Sequence, residues 1–375
     1  MKMTIQPAAA RRMLTALGLA AALDLGAGSA EVPPLKDVFH ARFQMGAALD
    51  SRQFTGHDAR GAALVKKHFN TITPENIMKW EPIHPAPGKY DFDLADKYVE
   101  FGEKNGMKII GHTLVWDQRT PAWVFEDAGK PASRELLLAR MREHIHKVAG
   151  RYKNRVAGWD VVNEAIDEDG KMRESKWFKI IGPDFVLKAF ECAREADSRA
   201  ELYYNDYSLE NAPKRKGAVR LIQELQAAGI KVAGVGLQGH YKMDWPKIQD
   251  IEETIAAFAS LGVKCMITEL DVDVLPSKRG GSAEITQRGQ GGDSANPYKE
   301  GLPEKVSAAL ALRYAELFDV FARNEKNLDR VTFWGVTDGD SWLNNWPIRG
   351  RSNYPLLFDR QGEPKKAFHA VVKTP

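Results

Sequence analysis

Two glutamates in this 375-residue chain stand where a charged side chain needs a reason. Trp159-Asp160-Val161-Val162-Asn163-Glu164-Ala165 has a β-branched centre that reads as a buried strand, and it runs out into a carboxylate. Cys265-Met266-Ile267-Thr268-Glu269-Leu270-Asp271 repeats the design. Taken singly, either Glu reads as a solvated residue at a strand terminus. Taken together, Glu164 and Glu269 suggest one paired-carboxylate site built from two strands of a parallel sheet or barrel. In such a pair one group gives a proton to a departing oxygen while the other attacks the carbon left behind.

The elements that would position the two carboxylates repeat along the chain. From residue 40 onward a short apolar strand, a loop rich in Trp, His, Asn and Glu, and an amphipathic helix follow one another eight times. The strands are expected at Phe43–Ala47, Asn70–Thr73, Lys108–Gly111, Ala157–Val162, Leu202–Tyr204, Val232–Leu237, Cys265–Thr268 and Val331–Trp334. Leu137, Met141, Ile145 and Val148 are spaced for one helix face, as are Ile251, Ile255 and Phe258, and Val219, Ile222 and Leu225. A last helix near Pro364 to Val372 would close the ring. Eight βα units argue for an α/β fold, a single (β/α)8 TIM barrel rather than an open sheet with edges. One segment breaks the rhythm: Pro276 to Pro303, after the seventh strand, is polar, Gly-rich and without period. A loop of that length is expected to be either functional or disordered, and its start close after Glu269 would hang it over the active face.

In this fold the C-terminal strand ends form the active face. Here they carry Glu75, Asn76, Lys79 and Trp80; His112, Trp116 and Trp123; Asn163 and Glu164; Asn205, Asp206 and Tyr207; Gln238 and His240; Glu269 and Asp271; then Trp334, Trp342 and Trp346. Six of the nine tryptophans thus fall on one expected face, suited to stacking on a flat apolar ligand surface such as a pyranose ring. Each has a plainer reading: a Trp can cap the core, and Lys79 can pair with Glu75 at i, i+4. Gln238 and His240 are two apart, as are Glu269 and Asp271, so each pair points to one side of its strand. Asn163 and Glu164 are adjacent and share a face only if the strand is bulged or has ended.

Composition bounds the rest. With 43% hydrophobic and 27% charged residues the chain can bury a sizeable core. Lys2, Arg11 and Arg12 precede an uncharged run, Met13 to Leu23, and Ala27-Gly28-Ser29-Ala30 offers small residues for cleavage. This is the three-part pattern of a signal peptide, too short to span a bilayer, which predicts a secreted or periplasmic protein and leaves 31–375 as one catalytic domain. Removing residues 1–30 lowers the formal charge from +3 to +1, which excludes an electrostatic footprint for nucleic acid or an anionic membrane. Two cysteines, Cys192 and Cys265, cannot make a disulfide framework and read as small buried hydrophobes, although one disulfide stays open. No Cys/His spacing resembles a zinc site, so His112 and His240 are assigned hydrogen-bonding roles and no metal or cofactor is expected.

Five motifs, in order, resemble the family 10 glycoside hydrolases, mostly endo-β-1,4-xylanases. They are Thr73-Pro74-Glu75-Asn76 with Lys79-Trp80-Glu81, Gly111-His112-Thr113-Leu114-Val115-Trp116, Trp159 to Glu164, Gly236-Leu237-Gln238-Gly239-His240, and Ile267-Thr268-Glu269-Leu270-Asp271. The resemblance runs from about Phe43 to Phe368. It implies a retaining enzyme cutting internal bonds of xylan and xylo-oligosaccharides, with Glu164 the acid/base and Glu269 the nucleophile. Asn163 would meet the sugar 2-hydroxyl beside the cut, and His240 and Asp271 would hold Glu269. Glu75, Asn76, Lys79, His112, Trp116, Tyr207, Gln238, His240, Trp334 and Trp342 would line the sugar subsites, and a monomer without cofactor is expected. Where the family commonly has an amide after Trp116, this chain has Arg119, free to meet acidic side groups or to pair with Asp117. Three other readings stand beside this one, and the first, a metal-dependent barrel hydrolase, is separated by a chelator assay. A β-1,4-glucanase or mixed glycanase would need room for a hydroxymethyl group that Trp334 and Trp342 tend to deny, and a non-catalytic carbohydrate-binding barrel would have lost a carboxylate, whereas both are present.

Overall fold

A computed structural model of the chain describes residues 1, 32–276, 284 and 295–374. Eight parallel strands close on themselves: β1 (Gln44–Leu49), β2 (Thr71–Pro74), β3 (Lys108–Val115), β4 (Gly158–Asn163), β5 (Glu201–Asp206), β6 (Gly234–Leu237), β7 (Lys264–Asp273) and β8 (Leu328–Phe333). They pair in sequence order, and β8 pairs with both β7 and β1, so no barrel strand is left as an edge. The fold is therefore the (β/α)8 barrel expected from the repeat. A short strand, His240–Lys242, adds parallel to Asp271–Asp273 of β7 above the barrel, and Glu126–Asp127 pairs with Lys130–Pro131 as a small hairpin.

The helices form where the apolar spacing placed them. Arg134–Arg151 starts on the Ser133 side chain, which accepts the N–H of Leu136, and buries Leu137, Met141, Ile145 and Val148. Ile248–Ala259 buries Ile251, Ile255 and Phe258, while Ala212–Ala227 buries Ile222 and Leu225. Glu304–Arg323 packs against the closing helix Lys366–Val371. Cys192 and Cys265 are buried and free, which decides between the small-hydrophobe reading and a disulfide. Among the described residues no helix is long and apolar enough to cross a membrane.

Inside the barrel the side chains lie in layers supplied by alternate strands. Ile110 of β3, Tyr203 of β5 and Met266 of β7 form one apolar cluster. Two residues further along the same strands, on the same inward face, stand His112, Asn205 and Thr268. The strand period thus converts an apolar floor into a polar layer one step nearer the mouth. Of the long segment 276–303, residues 277–283 and 285–294 lie outside the described residues.

Candidate active site

The polar layer holds both glutamates by a shared set of amides. Asn205 Nδ2 donates to Asn163 Oδ1 and to Glu269 Oε1, each at 2.8 Å. The Thr268 hydroxyl donates to Asn205 Oδ1 at 2.6 Å, which fixes the amide's orientation. Gln238 Nε2 donates to Glu164 Oε1 at 3.0 Å, Asn163 Nδ2 reaches the same oxygen at 3.1 Å, and Trp116 Nε1 donates to Glu164 Oε2 at 3.0 Å. A larger residue at 236 would break this set, because a Cβ there would sit 2.2 Å from Asn205 Oδ1.

Two backbone turns bring neighbouring residues to one face. β4 ends at Asn163, and Glu164 takes a left-handed conformation with φ of 61°, so both side chains enter the cleft; the strand has ended there. That conformation costs a non-glycine residue about 1–2 kcal/mol. The N–H of Glu164, bonded to the Asn205 carbonyl at 2.9 Å, helps hold it. Gln238 and His240 likewise share the cleft through a turn: β6 ends at Leu237, and Gly239 has φ of 83° with no room for a Cβ, which would meet Ile267 at 2.8 Å. Strand alternation alone, the expected reason, does not carry that pair.

The glutamates are both buried yet oppositely poised. Burial, reinforced by the negative charge of Asp206, pushes Glu164 up to about 7 against the Gln238 bond and the charge of Arg173. For Glu269 burial works in the same upward direction, but it is outweighed by the His240 bond, the fields of His112 and His240, and the Asn205 bond, leaving the carboxyl below its ordinary range. His240 is 3.2 Å from Glu269 Oε2 through Nε2 and 3.1 Å from Asp271 Oδ2 through Nδ1. Although burial disfavours its charge, Asp271 and Glu269 raise it to about 10, so both ring N–H groups donate. Trp342 Nε1 donates to the same Asp271 oxygen at 2.8 Å.

One cleft is lined by Glu75, Asn76, Lys79, His112, Trp116, Arg119, Asn163, Glu164, Gln238, His240, Glu269, Trp334 and Trp342. Lys79 donates to Asn76 Oδ1 at 2.9 Å, and its ammonium faces the rings of Trp116 and Trp334 at 5.1 and 5.9 Å. Burial lowers it to about 8 and raises Glu75. His112 is fixed by Asp160 at 2.9 Å. Asp271 lies behind His240, where a supporting group is expected.

Tyr207 departs from expectation. It is buried and does not line the cleft; its hydroxyl serves Arg173 at 2.6 Å and Glu284 at 3.2 Å, and its ring lies under Lys214. Glu284 also takes Gln118 at 2.7 Å and Arg173 at 2.6 Å, so one residue of the long loop reaches groups that follow β3, β4 and β5 beside Glu164. Three of the six strand-end tryptophans line the cleft. Trp80 is instead buried against His144 and His84, Trp123 packs on His84 and Arg140, and Trp346 stacks on Trp342. Arg119 meets Glu81 at 3.7 Å rather than Asp117, whose Oδ1 accepts the N–H of Lys176. Sequence reasoning put Asn205 on the active face but gave it no role; its tie to both Asn163 and Glu269 appears only in the structure. Among the described residues no group of His, Cys, Asp and Glu could hold a metal ion.

Two buried carboxyls of opposite poise facing one ring-walled cleft at the mouth of a (β/α)8 barrel suit cleavage of a sugar–oxygen bond, the chemistry of a glycoside hydrolase. Comparison with known proteins narrows the class. The chain belongs to glycosyl hydrolase family 10, whose sequence model matches residues 34–374. It is 43% identical over 353 residues to endo-1,4-beta-xylanase A of Xylanibacter ruminicola, covering 94% of this chain and 96% of that one. It is 42% identical over 345 residues to a beta-1,4-xylanase of Dictyoglomus thermophilum, with 92% and 91% covered. The solved structure of a GH10 endoxylanase from a sugarcane soil metagenome superposes with a TM-score of 0.89 at 43% identity, covering 91% of this chain and all of that one.

Proposed function

We propose that this chain is a retaining endo-β-1,4-xylanase in which Glu164 is the acid/base and Glu269 the nucleophile. The observation that carries the assignment is the different company of two buried carboxyls: Glu164 meets only the neutral N–H groups of Trp116, Asn163 and Gln238, while Glu269 meets His240 and Asn205, which fits a carboxyl raised to about 7 beside one held below its ordinary range. Glu269 attacks the anomeric carbon as Glu164 gives its proton to the leaving oxygen; Glu164, now a base, then takes a proton from the water that releases the glycosyl-enzyme. Retaining sites hold the two groups ~5–5.5 Å apart, and the Asn205–Asn163 bridge suits such closeness. Asn163, held by Asn205, would meet the 2-hydroxyl, and Trp116, Trp334, Trp342 and Lys79 would line the sugar subsites. Residues 1–30, whose sequence pattern is that of a signal peptide, direct export, and 31–375 act as a monomeric catalytic domain.

The test separates the two roles. Glu269→Ala should be inactive on xylan and on activated aryl xylobiosides alike. Glu164→Ala should give a burst on an activated aryl xylobioside, stall, and be relieved by azide with formation of a β-glycosyl azide. No burst, no azide relief, and release of the inverted anomer by the wild type would sink the assignment. Equal rates on β-glucan and xylan would move the specificity to a mixed glycanase.

A further inference from the structure

Strand β5 serves Glu164 from both of its faces. Alternation sends Asn205 inward and Tyr204 and Asp206 to the opposite side. There the Tyr204 hydroxyl accepts the N–H of Ala165 at 3.1 Å and donates to Asp206 Oδ2. The same Oδ2 accepts the N–H of Ile166 at 3.3 Å. These are the two amides that follow Glu164, the residue held at positive φ. Asp206 Oδ1 accepts the N–H of Tyr207 at 2.9 Å and lies 2.9 Å from Lys214 Nζ. Asp206 and Lys214 are both completely buried. Because desolvation offsets attraction, a buried ion pair is weak evidence for stability, so its place behind the cleft calls for another reason.

We propose that Asp206, paired with Lys214 and coupled through Tyr204, is a positioning residue for Glu164, fixing the turn that aims its carboxyl and setting a negative charge beside it. The inference rests on the acid/base reading of Glu164. The charged and titratable groups around Glu164 are Asp206 and Tyr207 at the end of β5, Arg173, Asp167 and Glu174 after β4, His112 of β3 with Asp117 and Arg119 after it, Glu75 and Lys79 after β2, His240 after β6, Glu269 of β7 and Glu284 of the long loop. After burial, Asp206 has the largest influence, and being negative it opposes ionisation of Glu164. Removing that charge makes Glu164 a stronger acid that ionises at lower pH, and the added Lys214→Met change keeps an unpaired ammonium out of the buried site.

The experiment measures kcat/KM against pH for Tyr204→Phe, Asp206→Asn and Asp206→Asn combined with Lys214→Met. It uses two aryl xylobiosides, one with a poor phenol leaving group and one with dinitrophenol. The expected result is a loss of roughly 10-fold or more on the poor leaving group, since general acid help is what falters, and a loss several-fold smaller on the good one. In the Asp206 variants the basic limb of the profile should move to lower pH. Equal losses on both substrates, or a basic limb that stays in place, would overturn the proposal. Failure of all three variants to fold would overturn it as well, since the cluster would then be structural; Tyr204→Phe removes a single oxygen and keeps the ring. A wild type that releases the inverted anomer would instead defeat the underlying assignment and not this inference alone.

Discussion

Replacing Asn205 with alanine removes two donors at once, one to the nucleophile candidate and one to the residue beside the acid. Both bonds measure 2.8 Å, and the side chain is fully buried, so bulk water does not take its place. A hydrogen bond to an ionised group contributes about 1.5–3 kcal/mol. Asn163 keeps a second donor, Gln238 at 3.3 Å, so the loss falls mainly on Glu269. If the bond to Glu269 matters in the transition state, kcat/KM on an aryl xylobioside should drop roughly 10- to 100-fold. The pH profile gives the sharper readout. Asn205 favours the ionised form of Glu269, so its removal raises the pH at which Glu269 takes a proton, and the acid limb of kcat/KM should move to higher pH. Thr268→Val, which frees the amide to flip, should move the limb the same way by a smaller amount. An acid limb in its wild-type place, with kcat/KM within about three-fold of wild type, would refute the view that this amide holds the nucleophile in its charged state.

Other outcomes follow from the same site. Gln238→Ala removes a donor that favours ionised Glu164, so the basic limb, expected near 7 in the wild type, should shift to higher pH. Because the folded value of Glu164 is raised from 4.5 to about 7, its contribution to stability is fully present below about 4.5 and is lost as pH climbs through about 7. The melting temperature of Glu164→Ala should therefore gain on that of the wild type between pH 5 and 8, by an amount equivalent to at most roughly 3 kcal/mol. Arg119 lines the cleft and holds Glu81 only loosely, so Arg119→Gln should lower kcat/KM on xylan bearing uronic acid groups relative to undecorated xylan, a ratio that product analysis can follow. Overnight treatment with a chelator should leave activity on xylan unchanged, as expected of chemistry carried by two carboxyls.

The barrel was legible because its signal is repetitive: eight apolar strands each ended in polar or aromatic residues, and a period of two then placed the inward side chains. Glu164, Glu269 and ten of the expected substrate contacts meet in one cleft because they stand at those strand ends, although turns after Asn163 and Leu237 and a register shift between Ile267 and Leu270, not the period of two, bring in Glu164, His240 and Glu269. What the sequence left hidden lay in backbone turns and in competition for partners. Nothing in Asn163-Glu164 announces a left-handed residue, and the role of Gly239 emerges only when Ile267 is seen against it. Tyr207 follows a strand as a site residue would, yet Arg173, Glu284 and Lys214 claim it. Trp80 and Trp123 sit near strand ends but are taken up by a histidine-rich cluster around His84 and His144.

The left-handed backbone at Glu164 also bears on how such a chain would drift if its chemistry were no longer needed. Glycine adopts that conformation without the penalty, so a mutation to glycine at 164 would relieve about 1–2 kcal/mol of backbone strain, offset in part by about 0.4–1 kcal/mol of added freedom in the unfolded chain, and would at the same stroke delete the carboxyl proposed as the proton donor. Selection for catalysis and selection for thermal robustness therefore pull this single codon in opposite directions. A duplicate of the gene retained only to bind polysaccharide would be expected to settle on glycine there early, before the surrounding amides decay.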